Sequence, residues 1–318
     1  MAPRSHLLDD ALARLEAGAP LALATVIETW GSSPRPVGSE MFVTEAGEMQ
    51  GSVSGGCIES SVVAEAQAVL QSGAPKVLEF GVSDDRAWQV GLSCGGRIKV
   101  FVERLDPADE DLLAQLREIG RARQERRQVA WLRDLESGAR RLVTGEAPRE
   151  AGSSQFCRTY EPAVRLVIIG AVHVAQELVA LAERGGLDVV VVDPRRAWAS
   201  AERFGAATLC HDWPDEALGR LKPDRLTAVA VLCHDPKIDD PGLVAALDSE
   251  AFYIGALGSR RTHERRLARL AEQGWRAAQL ARIHGPIGLD IGARGPVEIA
   301  LAILAQIVQE KNRLAATS

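Results

Sequence analysis

At 318 residues, with 46% hydrophobic and 25% charged side chains, the chain has the composition of a soluble globular protein long enough for two domains, each with its own core. A formal net charge of -6 excludes a general binder of nucleic-acid backbones, and no window reaches the ~18 apolar residues that a membrane span needs. Five cysteines (Cys57, Cys94, Cys157, Cys210 and Cys233), an odd number without a Cys-x-x-Cys pair, argue against a disulfide framework or a structural zinc site and for free thiols in a reducing cytoplasm. Met1 to Ala19 carries neither the basic segment nor the unbroken apolar stretch of a secretory signal, which fits a cytoplasmic setting.

Short strands broken by glycine-rich turns are expected over residues 1–105. Leu21 to Thr29 is an apolar run of strand length, which predicts a strand buried on both faces. Met41 to Thr44 and Glu48 to Val53 flank Glu45-Ala46-Gly47, a hairpin turn. Ile58, Val62, Ala66 and Leu70 share one face at helical spacing. Arg97 to Glu103 alternates Ile98, Val100 and Val102 with polar neighbours, which predicts a half-buried strand. Together these make an α+β domain. Residues 106–162 read as a connector, with a helix near Asp109 to Arg126 and a hairpin from Gln128 to Arg133 and Arg140 to Thr144. Its end, Glu146 to Ser154, is rich in Pro, Gly and Ser and reads as an exposed linker. Arg121, Arg123, Arg126 and Arg127 alternate with acids, as on a solvated helix face.

From residue 163 the pattern changes to strand and helix in turn. Leu166 to Ile169 is a strand, followed by Gly170 and a helix through Ala182. Asp188 to Val192 is a second strand, ending at Asp193. Ala228 to Leu232 is a third, ending at Cys233-His234-Asp235. Phe252 to Ile254 is a fourth and runs into Gly255-Ala256-Leu257-Gly258. A last helix from Pro296 aligns Ala300, Ile303, Leu304, Ile307 and Val308, a stripe that suits either core or a homodimer contact. This alternation predicts a Rossmann-like, doubly wound parallel sheet over residues 163–318.

Ligands of such sheets bind beyond the carboxyl ends of the strands. The first loop there, Gly170-Ala171-Val172-His173-Val174-Ala175, follows the dinucleotide fingerprint G-x-G-x-x-G/A except that Val172 stands at the middle glycine. That glycine lets a pyrophosphate approach the backbone, so a β-branched side chain obstructs tight dinucleotide seating. Asp193 has the spacing of a ribose-binding acid. His173 is either a polar turn residue or a ligand contact, and His234 and Asp235 are candidates at a strand end. Gly258, Ser259, Arg260 and Arg261 open a helix that is either simply capped or an anion site built from backbone N–H groups, a hydroxyl and two guanidiniums.

Two glycine-thiol loops occur in the first region, Ser54-Gly55-Gly56-Cys57-Ile58-Glu59 and Ser93-Cys94-Gly95-Gly96. Gly55 and Gly56 permit close ligand approach, and Cys57 lies near a helix start, where the dipole polarises a thiol. Either cysteine suits a soft metal ligand or nucleophile, or a small buried hydrophobe. Cys157, Cys210 and Cys233 have weaker context and read as packing residues.

These loops together resemble the XdhC/CoxI family, accessory proteins of molybdenum hydroxylases such as xanthine dehydrogenase. The likeness is carried by Thr29-Trp30-Gly31-Ser32-Ser33-Pro34-Arg35-Pro36-Val37-Gly38 and by Gly51 to Glu59 and Ser93 to Gly96 in the first region. In the second it is carried by Val192-Asp193-Pro194-Arg195, His234-Asp235-Pro236-Lys237-Ile238-Asp239-Asp240, Tyr253 to His263 and Ile283 to Arg294. The resemblance implies a chaperone, with no turnover of its own, for the molybdenum cofactor (Mo-molybdopterin), a pyranopterin monophosphate whose dithiolene holds Mo. Such a protein receives its cargo from an upstream cofactor biosynthesis protein and protects it during sulfuration by a cysteine-desulfurase-like partner. It then delivers the cofactor to apo xanthine dehydrogenase without staying in the final enzyme. On this view Gly170, Gly258, Ser259, Arg260 and Arg261 hold the phosphate. His173, Asp193, His234 and Asp235 face the pterin, and Cys57 or Cys94 comes near the metal or carries sulfur. Many members of the family have glycine where Val172 stands, so nucleotide binding does not carry over. An NAD(P)-dependent oxidoreductase with a degenerate fingerprint is the alternative, and a homodimer is an expectation from the fold.

Overall fold

A computed structural model describes residues 7–31, 35–81, 96–145, 154–205 and 207–317. The chain divides into two compact units that meet between Pro162 and Ala163.

The first unit runs through α1 (Leu7–Glu16), β1 (Leu21–Trp30), β2 (Glu40–Thr44), β3 (Met49–Gly51), α2 (Glu59–Ser72), β4 (Lys76–Phe80) and β5 (Arg97–Leu105). It continues through α3 (Glu110–Gln124), β6 (Val129–Asp134), β7 (Arg140–Thr144) and β8 (Gln155–Tyr160). One antiparallel sheet has the order β3-β2-β1-β5-β4, and a second has the order β7-β6-β8. Period-two alternation along β1 feeds both faces of the larger sheet. Ala22, Ala24 and Val26 pack with Val62, Ala66 and Val69 of α2, whereas Leu21 and Leu23 pack with α1, α3 and Trp131.

Residues 106–145 and 154–160 therefore pack into the first unit rather than stand apart as a connector. Leu112, Leu116 and Ile119 of α3 and Tyr160 of β8 share a core with Leu23 and Phe42. Polar chemistry joins the same parts. Arg133 is fully buried, donates from Nη1 to Glu103 Oε1 at 3.1 Å and to Thr25 Oγ1 at 2.9 Å, and stacks over Trp131. Arg140 Nε takes the other Glu103 oxygen at 2.7 Å. This network corrects the expectation of a half-buried β5, because it covers the second face and buries Phe101 and Glu103. β8 carries no apolar alternation in sequence and is held by its in-register pairing with β6. Residues 146–153, most of the expected linker, lie outside the described residues.

The second unit comprises β9 (Arg165–Ile169), α4 (His173–Arg184), β10 (Asp188–Val192), α5 (Ala201–Phe204), β11 (Thr208–Cys210), α6 (Pro214–Leu221), β12 (Thr227–Val231) and α7 (Pro236–Leu247). It closes with β13 (Tyr253–Ala256), α8 (Arg260–Glu272), α9 (Ala277–Leu280), β14 (Ile283–His284) and α10 (Pro296–Thr317). Every strand pair is parallel, in the order β11-β10-β9-β12-β13-β14. This is the Rossmann-like doubly wound sheet the alternation predicts, with a core on each face. Chain order reverses between β9 and β12, the crevice where such folds bind ligands. On α10, Ala300, Ile303 and Ile307 are buried in one core, while Val308 of the expected stripe is exposed.

Arg133→Ala leaves Glu103 without its fully buried partner and should destabilise the first unit by about 3 to 5 kcal/mol. Hydrogen exchange resolved to β5 and β6 under increasing denaturant measures this, and a loss below about 1 kcal/mol would show the pair to be dispensable.

Candidate functional site

The carboxyl edge of the parallel sheet is set by one close approach. Gly170 has φ +102°, and a Cβ there would stand 2.8 Å from the backbone N and Cα of Cys233. No other residue type fits this place. Two residues on, Val172 occupies the N-cap position of α4, half-buried, with extended backbone (φ -83°, ψ 176°), and packs against the core. The loop thus keeps the glycine that strand packing requires and carries a side chain where a pyrophosphate would approach. His173 opens α4 with its side chain 71% exposed and Nε2 3.8 Å from Glu177.

Asp193 ends β10 fully buried, and both its oxygens are taken. Oδ2 accepts from the Ala171 N–H at 2.8 Å and Arg195 Nη2 at 2.7 Å, and Oδ1 from the Arg195 N–H and Nε, both at 2.9 Å. Burial alone would raise its pKa, but the hydrogen bonds from Arg195 and Ala171 outweigh burial and hold the carboxyl below its usual range. Asp193 is a clamp on the first loop. Its spacing suggests a ribose- or pterin-facing acid, and in the structure both of its oxygens are engaged by Arg195 and the Ala171 N–H. Arg195 reaches on to Cys233 Sγ at 3.1 Å and stacks 4.5 Å from the centre of the Trp198 ring.

Cys233, read from sequence as packing, ends β12 beside this clamp, with burial pushing its thiol pKa up against the pull of Arg195. His234 follows at φ +64°, exposed, its imidazole lowered by partial desolvation and by the Arg266 charge. Asp235 caps α7 by accepting from the Lys237 N–H at 3.0 Å. Inside the first turn, Asp239 is buried, and desolvation raises its carboxyl to about 6 despite Arg266. At the end of β13, Gly258 (φ +142°) leads to Ser259, whose Oγ accepts from the Thr262 N–H at 3.2 Å and caps α8. Arg260 and Arg261, the first residues of α8, are exposed. His263 packs where a Cβ on Gly285 would collide with its ring, and His284 stacks on Tyr253 with ring centres 4.9 Å apart.

The glycine-thiol loop of the first unit is organised by a residue that sequence reading passed over. The Glu59 carboxylate accepts from the N–H groups of Ser54 (2.9 Å), Gly55 (3.0 Å) and Gly56 (2.9 Å) and from the hydroxyls of Ser52 and Ser54. Gly55 and Gly56, at φ +81° and +120°, turn their N–H groups onto this acid. Ser54 Oγ in turn accepts from the Cys57 N–H at 3.1 Å, leaving Cys57 partly exposed at the head of α2. Cys94 and Gly95 lie outside the described residues.

Gly170, His173, Asp193, His234, Asp235 and Gly258 to Arg261 thus line one sheet edge, while Gly55, Gly56 and Cys57 form a loop of the other unit. Arg195, Asp239, His263, Arg266 and Glu59 were missed as site residues. Only their positions beside glycine and acid motifs could have signalled them. No group of three or more His, Cys, Asp or Glu placed to hold a metal ion occurs among the described residues, and no helix among them is long and apolar enough to cross a membrane.

Burial alone would raise the Glu59 pKa, but its hydrogen bonds bring it down to about 2 from an ordinary value of 4.5. Its stabilising effect is therefore complete above pH 4.5 and lost as pH falls from 4.5 towards 2. Glu59→Gln should cost about 3 kcal/mol at neutral pH and flatten the pH dependence of the unfolding midpoint across that window. Identical pH profiles for variant and parent would refute the assignment.

The family model described as XdhC Rossmann domain matches residues 166–307, and the one described as XdhC and CoxI family matches residues 14–81. Over 95% of this chain and 86% of its own length, the molybdenum cofactor insertion chaperone PaoD of Escherichia coli is 34% identical. A Bacillus subtilis protein named as a probable xanthine dehydrogenase subunit is 27% identical over 98% of both chains. A crystal structure described as a xanthine dehydrogenase from Bacillus halodurans superposes with a TM-score of 0.80 at 28% identity and covers 96% of each chain.

Proposed function

With this chain belonging to the XdhC and CoxI family as the premise, we propose that it is a chaperone for the molybdenum cofactor. It binds the cofactor as cargo, shields it while a cysteine-desulfurase-like partner exchanges an oxo for a sulfido ligand, and delivers it to apo xanthine dehydrogenase. It neither turns over a substrate nor stays in the finished enzyme. The observation that carries this reading is the end-to-end likeness to a relative named as an insertion chaperone.

The chemistry of the sheet edge supports it. The first turn of α8 offers backbone N–H groups beside the exposed Arg260 and Arg261, a set suited to one phosphate. His234, exposed at the next strand end, adds a polar contact for the pterin. The oxidoreductase alternative fits less well, because Val172 crowds the first loop and Arg195 already engages both oxygens of Asp193. Cys57, partly exposed, is the described thiol best suited to meet the metal or carry sulfur.

Protein purified from a cofactor-competent host, denatured and oxidised, should release close to one fluorescent pterin per chain. Arg260→Glu with Arg261→Glu should reduce retention roughly tenfold or more, since each guanidinium–phosphate contact contributes about 1.5 kcal/mol or more. Cys57→Ala should weaken retention without unfolding the protein. A preparation that releases no pterin and binds none when the cofactor is added would overturn the reading.

A further inference from the structure

The last helix carries two apolar faces, and its own chain buries one of them. Ala300, Ile303 and Ile307 of α10 lie in a core of the second unit. Val297, Leu301 and Val308 are 53%, 50% and 40% exposed, with the half-buried Leu304 among them. At 3.6 residues per turn these four side chains fall within about 60° of one another around the helix, in one seam. Exposed Ile291 belongs to the loop that the Leu289 N–H ties to the Ala302 carbonyl, 3.1 Å away in the middle of α10. From Ile299 to Gln309 the helix has no Asp, Glu, Lys or Arg. Helices with one face in water carry charge on that face, as α3 and α8 do. A single exposed valine needs no explanation, but a continuous uncharged seam marks a covered surface.

The steps from Val297 to Leu301, Leu304 and Val308 are four, three and four residues, the spacing of side chains that pack into a facing helix. A second copy running antiparallel about a twofold axis sets Val297 against Val308 and Leu301 against Leu304, so every apolar side chain meets another. A twofold contact also brings each flank of the seam against its own image, where like charges repel. The exposed flank beside Leu301 and Val308 is Ala305 and Gln309, both neutral. A parallel pair would stack Glu298 and Lys311 on their images, whereas an antiparallel pair holds each copy's charges at opposite ends. We propose that this chain forms a homodimer through α10, with the two helices antiparallel along Val297, Leu301, Leu304 and Val308. This goes beyond the chaperone reading and does not depend on it. Gln306 of the same helix accepts from the Tyr253 hydroxyl at 2.6 Å and the Gly288 N–H at 2.8 Å, so the contact braces β13 and the loop after β14 in each copy.

Sedimentation equilibrium of the full chain at micromolar concentration should give a dimer. Leu301→Glu and Val308→Glu each place like charges in the seam while keeping a good helix former at an exposed position. Each should raise the dissociation constant roughly tenfold or more, with cooperative melting retained. As a second readout, Val297→Cys and Val308→Cys chains are mixed, oxidised and mapped by mass spectrometry, and position 297 should join position 308 of the other copy. A parent that is monomeric at this concentration, or a dimer that both glutamate variants leave intact, would overturn the proposal. A link from position 297 to its own image in place of 308 would overturn the antiparallel arrangement.

Discussion

Where β9 and β12 run side by side, the missing side chain of Gly170 lets the two strand ends meet, with Cys233 backbone atoms in the space a Cβ would need. The other contacts of that sheet edge follow from this approach. It brings the Ala171 N–H to Asp193, lets Arg195 bridge Asp193 and Cys233, and sets where α4 begins. In a dinucleotide-binding sheet the same crevice would present a second glycine and a free acid. Here valine and an arginine-clamped aspartate stand in those places.

Buried charge organises both units. In the first, Glu59 and Glu103 are saturated, one by backbone N–H groups and hydroxyls, the other by two arginines. These acids fix the glycine-thiol loop and tie β6 and β7 to the larger sheet. In the second, Asp193 is saturated in the same way by Arg195 and the Ala171 N–H, and Arg269 pairs with Asp240.

Much of this was legible in the sequence, and the remainder was hidden for physical reasons. β1, α2, β9, β10, β12 and β13 declare themselves through apolar runs or helical spacing, and the glycine loops mark the edges of the units. β11 and β14, of three and two residues, are too short to hold a period and exist through pairing with their neighbours. α7 is obscured by Pro241, which normally argues against a helix interior. Among site residues, the motifs located Asp193 and Ser259 but not their tasks, since occupation of a carboxylate or a hydroxyl depends on contacts made in three dimensions. Glu59 and Arg266 look like ordinary surface charges in a helical sequence, and only burial distinguishes them. Val172 alone suggested a lost dinucleotide. With Asp193 clamped by Arg195, the same loop lacks both the second glycine and the free acid of the dinucleotide fingerprint.

The central claim is that this chain carries the molybdenum cofactor and gives it up. The most direct measurement loads the purified protein with the cofactor, mixes it with cofactor-free xanthine dehydrogenase, separates the two and counts molybdenum on each. The account predicts that molybdenum leaves this protein and appears in the hydroxylase, which gains activity without retaining the chaperone. Molybdenum that stays with this protein, or a stable complex of the two in the active enzyme, would contradict it.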